Sequence, residues 1–339
     1  MTKMRAEVLE IPAAVDRLLT NGVDAIKAAA AAAREADPCF AVTVARGSSD
    51  HVCSFLKYAL ELELGLPVAS IGPSVASIYD AQLKLAKSVT LSVSQSGQSP
   101  DIVAMTRSAT QSGALSIAFT NDPSSPLADV ASQTINIHAG PELSVAATKT
   151  FVTSAVAGLM LLAEWKGDDS LRSALRALPG DLERAVQFDW PELSEAIGPA
   201  KSLFTLGRGP SWAVSNETAL KFKETSQIHA ESYSSAEVLH GPVSIVDTGF
   251  PILCFATGDA AENSLVEVAD QLADKGARVF ITSKVAKRAQ QLPHVRTAHP
   301  MTDPIALIAS SYAMIERVAA DRGINPDTPR HLRKVTETV

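Results

Sequence analysis

Cysteine, aromatic side chains, excess positive charge and long apolar runs are all scarce in this sequence. The three cysteines, Cys39, Cys53 and Cys254, stand at no metal-ligand spacing. In a chain of 339 residues they build no disulfide framework, so a reducing compartment, the cytoplasm, is expected. Residues 1–20 carry acids and a proline but no long apolar run, and no signal peptide is expected there. The longest apolar stretch, Phe151 to Trp165, is interrupted by Thr153 and Ser154 and is too short to span a bilayer. A net charge of -7 argues against a nucleic-acid surface. Neither a membrane nor a nucleic acid is therefore an expected partner. What fills the chain instead is Ala, Val, Leu and Ser: 46% of residues are hydrophobic and only 20% charged, enough to bury real cores. With aromatics at 5%, that composition suits helices packed closely on a parallel sheet, and the length suggests two domains.

The order of elements is that of an α/β chain. An Ala-rich helix, Ile26 to Ala36, stops at Asp37-Pro38. The apolar, β-rich run Phe40–Ala45 then enters Arg46-Gly47-Ser48-Ser49, and a helical pattern follows from His51 to Glu63. Further strands are expected at Pro67–Ile71, Ser88–Val93, Leu115–Thr120 and Gln133–Ile137. The pattern then restarts: Ser202–Leu206 runs into Gly207-Arg208-Gly209, and Pro251–Phe255 into Ala256-Thr257-Gly258-Asp259. Arg208 follows Arg46 by 162 residues, and Ala256 follows Ser94 by the same offset. Two strand–turn–helix units in one register read as a tandem duplication of a doubly wound domain, linked near Lys166 to Pro191.

The two copies carry different chemistry. In the first, Ser94-Gln95-Ser96-Gly97-Gln98-Ser99 lies between a strand and a helix. Hydroxyls, a backbone free to curl at Gly97 and the amides of a helix N-terminus can bind phosphate without a cation. It is not a Walker loop, since no lysine follows the glycine. A plain N-capping turn is the competing reading, but Ser48-Ser49 would add hydroxyls at the same C-terminal sheet edge, where ligands of open α/β sheets bind. In the second copy, Glu217, Lys221 and Glu224 fall on one helix face at i, i+4 and i+7. A solvated salt-bridge ladder would look the same, yet Ala213 and Leu220 on nearly the same stripe suggest a cleft, where a desolvated Glu can move protons. His240, before Gly241-Pro242, is placed to titrate or to serve as a structural loop histidine. Lys334, beside Arg330 and Arg333, is either a solvated tail residue or, if docked, an amine whose pKa its neighbours lower. His51, His229, His294, His299 and His331 share no metal spacing and read as structural; no metal and no organic cofactor is expected.

Taken in order, the motifs Arg46–Ser49, Ser94–Ser99, Glu142–Lys149, Ala219–Glu224, Ile228–Glu231, His240–Pro242 and Asp327–Lys334 resemble the SIS (sugar isomerase) family over nearly the whole chain. More narrowly they resemble the isomerase half of glutamine-dependent glucosamine-6-phosphate synthase and the SIS-type glucosamine-6-phosphate deaminases. The resemblance implies two tandem flavodoxin-like SIS domains with parallel sheets. The expected division is 1–170 for an N-terminal helix and the phosphate-binding domain, 171–326 for the domain with the acid–base residues, and 327–339 for a tail closing the site. By the same resemblance, Ser49, Ser94, Gln95, Ser96 and Ser99 hold a sugar 6-phosphate, and Val145 and Ala147 line the sugar pocket. Glu224 moves a proton between C1 and C2, Lys221 and Glu217 position the open chain, and His240 assists ring opening from a partner subunit. Lys334 forms a Schiff base. Ala147 departs from the synthases, which usually carry Ser there, and Arg333 stands where they carry a small residue. No nucleophilic Cys follows Met1, so ammonia from glutamine is not expected.

The expected function is a 6-phospho-amino-sugar deaminase/isomerase, converting glucosamine 6-phosphate to fructose 6-phosphate and ammonia in a homodimer with composite sites. The alternatives are a ketose–aldose phosphate isomerase, an ammonia-dependent synthase, or a sugar-phosphate sensor. A sensor would usually carry a DNA-binding domain, and the region before Phe40 is too short and not basic.

Overall fold

The computed structural model of the chain describes residues 1–334, and these form ten strands and twelve α-helices. The strands are β1 (Phe40–Val44), β2 (Val68–Ser70), β3 (Ser88–Val93), β4 (Leu115–Thr120), β5 (Gln133–Asn136), β6 (Ser202–Gly207), β7 (His229–Ser234), β8 (Pro251–Phe255), β9 (Arg278–Ile281) and β10 (Gln290–Gln291). The helices are α1 (Lys3–Asn21), α2 (Val23–Ala36), α3 (Ser48–Leu64), α4 (Ser74–Ser77), α5 (Pro100–Gln111), α6 (Pro126–Val130), α7 (Lys149–Lys166), α8 (Asp169–Ala185), α9 (Pro191–Ile197), α10 (Pro210–Ser226), α11 (Glu262–Asp274) and α12 (Asp303–Asp321).

They form two compact units. The first comprises Ala13–Glu142 and Lys149–Pro179, with Arg333 and Lys334. Its sheet runs β2-β1-β3-β4-β5 with every pairing parallel, the strand order of flavodoxin-like folds. Helix α7 packs against both α2 and α3. Strand β3 is buried along its whole length, and the hydroxyl of its Ser92 bonds that of Thr106 at 2.7 Å. The second unit comprises Met1–Pro12, Leu143–Thr148 and Gly180–Leu332. Its sheet runs β10-β9-β8-β6-β7, again parallel throughout. Within it, the carboxylate of Asp327 accepts the backbone N–H groups of Lys3 and Met4 at 2.7 and 2.8 Å, and the Thr2 hydroxyl accepts that of Arg5 at 3.0 Å. Those bonds satisfy the amides that open α1.

The duplication is visible in the backbone. Helices α3 and α10 are both 17 residues long and begin 162 residues apart; β1 and β6, β3 and β8, β4 and β9, and α5 and α11 keep that offset to within a residue. Gly47 (φ 56, ψ −133) and Gly209 (φ 61, ψ −136) take the same left-handed conformation ahead of their helices, one that a side chain would strain. The offset is lost after β9, where β10 shrinks to two residues.

Most of Lys166 to Pro191 is α8, with Leu171, Leu175, Leu178 and Leu182 buried along one stripe.

Candidate functional site

In each sheet the chain leaves in opposite directions on either side of one strand pair: β1 and β3 in the first unit, β6 and β8 in the second. Such a switch point opens a crevice at the carboxyl ends of the strands. The first unit puts its two hydroxyl-bearing turns there. Gly47 leads into Ser48 and Ser49 in the first turn of α3, both half-buried. From β3, Ser94 to Ser99 curl into α5, with Ser99 as N-cap and Pro100 opening the helix.

The backbone of this second turn is fixed from below. Ser94 N–H donates to the Phe119 carbonyl, Asn121 N–H to that of Gln95, and Leu127 N–H to that of Gly97, all at 3.0–3.1 Å. Gly97 has φ 62, and a Cβ there would lie 2.1 Å from the Ser125 hydroxyl, so only glycine fits. The Ser94 and Ser96 hydroxyls accept the amides of Gly97 and Gln98, and the Ser99 hydroxyl makes no capping bond.

A cation stands beside this turn, contrary to the sequence reading, which saw none. The Arg46 guanidinium reaches from the turn after β1 to Asp101, on the second residue of α5, with N···O distances of 2.9 and 3.0 Å. Asp101 is buried, while the Arg46 side chain is 49% exposed. Neither the lone Arg of Arg46-Gly47 nor the Asp after Pro100 signalled the pairing, which spans 55 residues.

Lys334 also belongs to the first unit. Its ammonium lies 2.8 Å from Glu142 Oε2. The buried Glu142 carboxylate accepts the Thr150 N–H at 3.1 Å and the Thr150 hydroxyl at 2.8 Å as well, so it caps α7 and anchors Lys334 together. The sequence reading set Lys334 among the positive charges of Arg330 and Arg333. The structure instead gives it a carboxylate, and both arginines are exposed. Glu142 was in a recognised motif but had been given no role. The last five residues of the expected tail, 335–339, lie outside the described residues.

In the second unit the three charged residues of α10 form one chain of contacts. Lys221 Nζ lies 3.2 Å from Glu217 Oε1 and 2.5 Å from Glu224 Oε2. The Tyr312 hydroxyl, from α12, donates to Glu217 at 3.1 Å. This is a buried ladder rather than a solvated one: the side chains of Lys221 and Glu217 are fully covered, and Glu224 alone keeps 21% exposure. Burial pulls the Lys221 pKa down, but the charges of Glu217 and Glu224 outweigh it and hold the ammonium well above its ordinary range. Tyr312, 95 residues further on, could not be read from spacing.

Val145 and Ala147 lie half-buried in the short segment 143–148, whose Ser144 N–H donates to the Glu7 carboxylate at 3.2 Å. His240 ends a single 3-10 turn, Val238–His240, and is exposed. Leu239 and Ile245 stand exposed on the same stretch, at 36% and 57%.

The SIS domain description matches residues 38–164 and again 196–320. The chain belongs to the SIS domain family. Each SIS match covers one of the two parallel sheets. Over 304 residues the chain is 31% identical to the isomerizing glutamine–fructose-6-phosphate aminotransferase of Sulfolobus acidocaldarius, a match that takes in 86% of this chain and 49% of that protein. The chain thus spans about half the length of the curated relatives it matches. Among solved structures, a Silicibacter pomeroyi protein provisionally named a phosphosugar isomerase is 65% identical, with a TM-score of 0.94 over 96% of this chain and 100% of that one. The C-terminal domain of glucosamine-fructose-6-phosphate aminotransferase from Francisella tularensis shares the fold at 24% identity, with a TM-score of 0.87 over 97% and 98% of the two chains. Among the described residues, no cluster of His, Cys, Asp and Glu could hold a metal ion, and no helix is long and apolar enough to cross a membrane.

Proposed function

We propose that this SIS protein is a sugar-phosphate isomerase, and more finely a deaminase that turns an amino-sugar 6-phosphate into the ketose phosphate and ammonia. The observation that carries the reading is the Glu217–Lys221–Glu224 chain of α10, which leaves one reachable carboxylate on a buried cation. The name and 65% identity of the Silicibacter pomeroyi protein support the isomerase reading.

In this scheme Glu224 takes the C2 proton of the open-chain 2-amino aldose, and the electron pair moves toward C1 and its oxygen. Return of the proton to C1 leaves an imine at C2. The Lys334 amine adds to that carbon and expels ammonia, and water then cleaves the resulting Schiff base to release the ketose phosphate. Lys221 keeps its proton throughout and orients Glu224, with Glu217 holding Lys221 in place. Val145 and Ala147 line the sugar's surroundings. The deciding experiment measures ammonia release, and separately aldose–ketose interconversion, across a panel of amino-sugar and keto-sugar 6-phosphates. Isomerisation without ammonia from any amino sugar would leave the coarser reading and remove the deaminase.

The 6-phosphate is assigned to Ser94, Gln95, Ser96 and Ser99, with Ser49 nearby. It is bound alike in the ground and transition states, so Ser96→Ala should raise KM much more than it lowers kcat. An unchanged KM would move the phosphate elsewhere.

For Lys334, borohydride added with a keto-sugar phosphate should trap a covalent adduct that mass spectrometry places on this residue. An adduct on another lysine, or none, rules out the Schiff base.

The exposure of His240 fits a residue that serves a neighbouring subunit in a homodimer. Inactive His240→Ala and Glu224→Gln chains, mixed into heterodimers, should then recover part of the parental activity. Verified heterodimers that stay inactive would place each site within one chain.

A further inference from the structure

The second unit has its own version of the phosphate turn, and it is already filled. Ala256 to Ala261 follow β8 as Ser94 to Ser99 follow β3, and the turn opens α11. At the position of Ser96 stands Gly258, whose backbone N–H donates to Asp303 Oδ2 at 2.8 Å. The other oxygen of the same carboxylate accepts the N–H and the hydroxyl of Thr297 at 2.8 and 2.9 Å. Arg296 lies 3.3 Å from Asp303, and it also bonds Glu262 at 2.7 Å and the Ala256 carbonyl at 2.8 Å. The Asp303 side chain is 3% exposed. A Cβ on Gly258 would approach Asp303 Oδ2 to 3.2 Å, so the glycine is what lets the carboxylate settle on the amide. Backbone amide, hydroxyl and guanidinium converging on one anion is the donor set that binds phosphate.

From this geometry we infer that the second unit carries an anion site whose resident ligand is the chain's own Asp303. The chain therefore takes one phosphate, at the first unit, and the second copy has turned its anion cradle into an internal tie between the turn after β8 and the start of α12. The inference rests on reading Ser94 to Ser99 as the phosphate turn. The side chain of Asp303, one methylene and a carboxylate, is close in size to the phosphate it stands for. Deleting it leaves Gly258 N–H, Thr297 and Arg296 converging on a space of that size, with Arg296 still held by Glu262.

The test titrates inorganic phosphate into the parent chain, Asp303→Gly, Asp303→Ser and Ser96→Ala, by calorimetry and thermal melting. The parent should bind one phosphate per chain. Asp303→Gly and Asp303→Ser should bind two, and their melting temperatures should rise more with phosphate than the parent's. Adding Ser96→Ala to Asp303→Gly should weaken the first phosphate and leave the second. If neither Asp303 variant takes up a second phosphate or gains extra stability from it, folded or not, the proposal is overturned. An unaltered first phosphate in Ser96→Ala alone would instead count against the reading of the first turn.

Discussion

Replacing Glu224 by glutamine should slow turnover by about 10²–10⁴-fold, the usual cost of losing a general base, with little change in KM. Glutamine keeps the size of the side chain and can still accept a hydrogen bond from Lys221, but it cannot take a proton. The effect belongs to Glu224 rather than Glu217 because of exposure: Glu217 is fully covered and shared between Lys221 and Tyr312, whereas Glu224 keeps 21% of its side-chain surface. The measurement is entry of solvent deuterium at C1 or C2 of the sugar phosphate, followed by NMR. Deuterium entering at the parental rate would take Glu224 out of the reaction.

Lys221→Met should cost stability rather than rate alone. It takes the ammonium from Glu217, whose side chain is buried at 0% exposure and also accepts the Tyr312 hydroxyl. Removing one partner of a buried pair typically costs about 3–5 kcal/mol, because the remaining charge stays uncompensated. The sign with pH follows from the raised pKa of Lys221. A folded-state pKa above the ordinary value contributes stability that is complete below the ordinary lysine range and is lost only as the pH rises through the raised value. The whole deficit should therefore be present at neutral pH, read as a lowered urea midpoint. Adding Glu217→Gln to Lys221→Met should restore part of it by removing the stranded charge. A single variant within about 1 kcal/mol of the parent, on the scale of exposed ion pairs, would show that the ladder is not what holds α10 in place.

Much of the fold was legible because buried parallel strands write themselves as short apolar runs between Gly and Ser turns. Ser88–Val93, Leu115–Thr120 and Pro251–Phe255 begin and end where the sequence suggests. Pro67 and Ile71 were read into β2 but flank it: a proline offers no N–H to a ladder, and the paired segment is only Val68–Ser70. Helix α3 starts at Ser48 rather than His51, since the two serines that read as turn already form its first turn. Helix α8 runs through Pro179-Gly180, a breaking signal in sequence that the burial of its leucine stripe overrides. In the site, spacing put Glu217, Lys221 and Glu224 on one face but could not say that the face is dry. The partners that matter most lie far along the chain: Asp101 from Arg46 and Glu142 from Lys334, the latter 192 residues away. No local pattern encodes such pairs.

The cap of α1 carries a consequence for how the chain is made. Lys3 and Met4 donate their amides to Asp327, which is added 324 residues after Lys3. At a synthesis rate of about 5–20 residues per second, the first turn of α1 waits on the order of tens of seconds for that acceptor. During that interval the Thr2 hydroxyl and water are what remain to satisfy it. Helix α1 is thus finished long after it is translated, and a ribosome that stalls before Asp327 leaves its start open to fraying and to proteases.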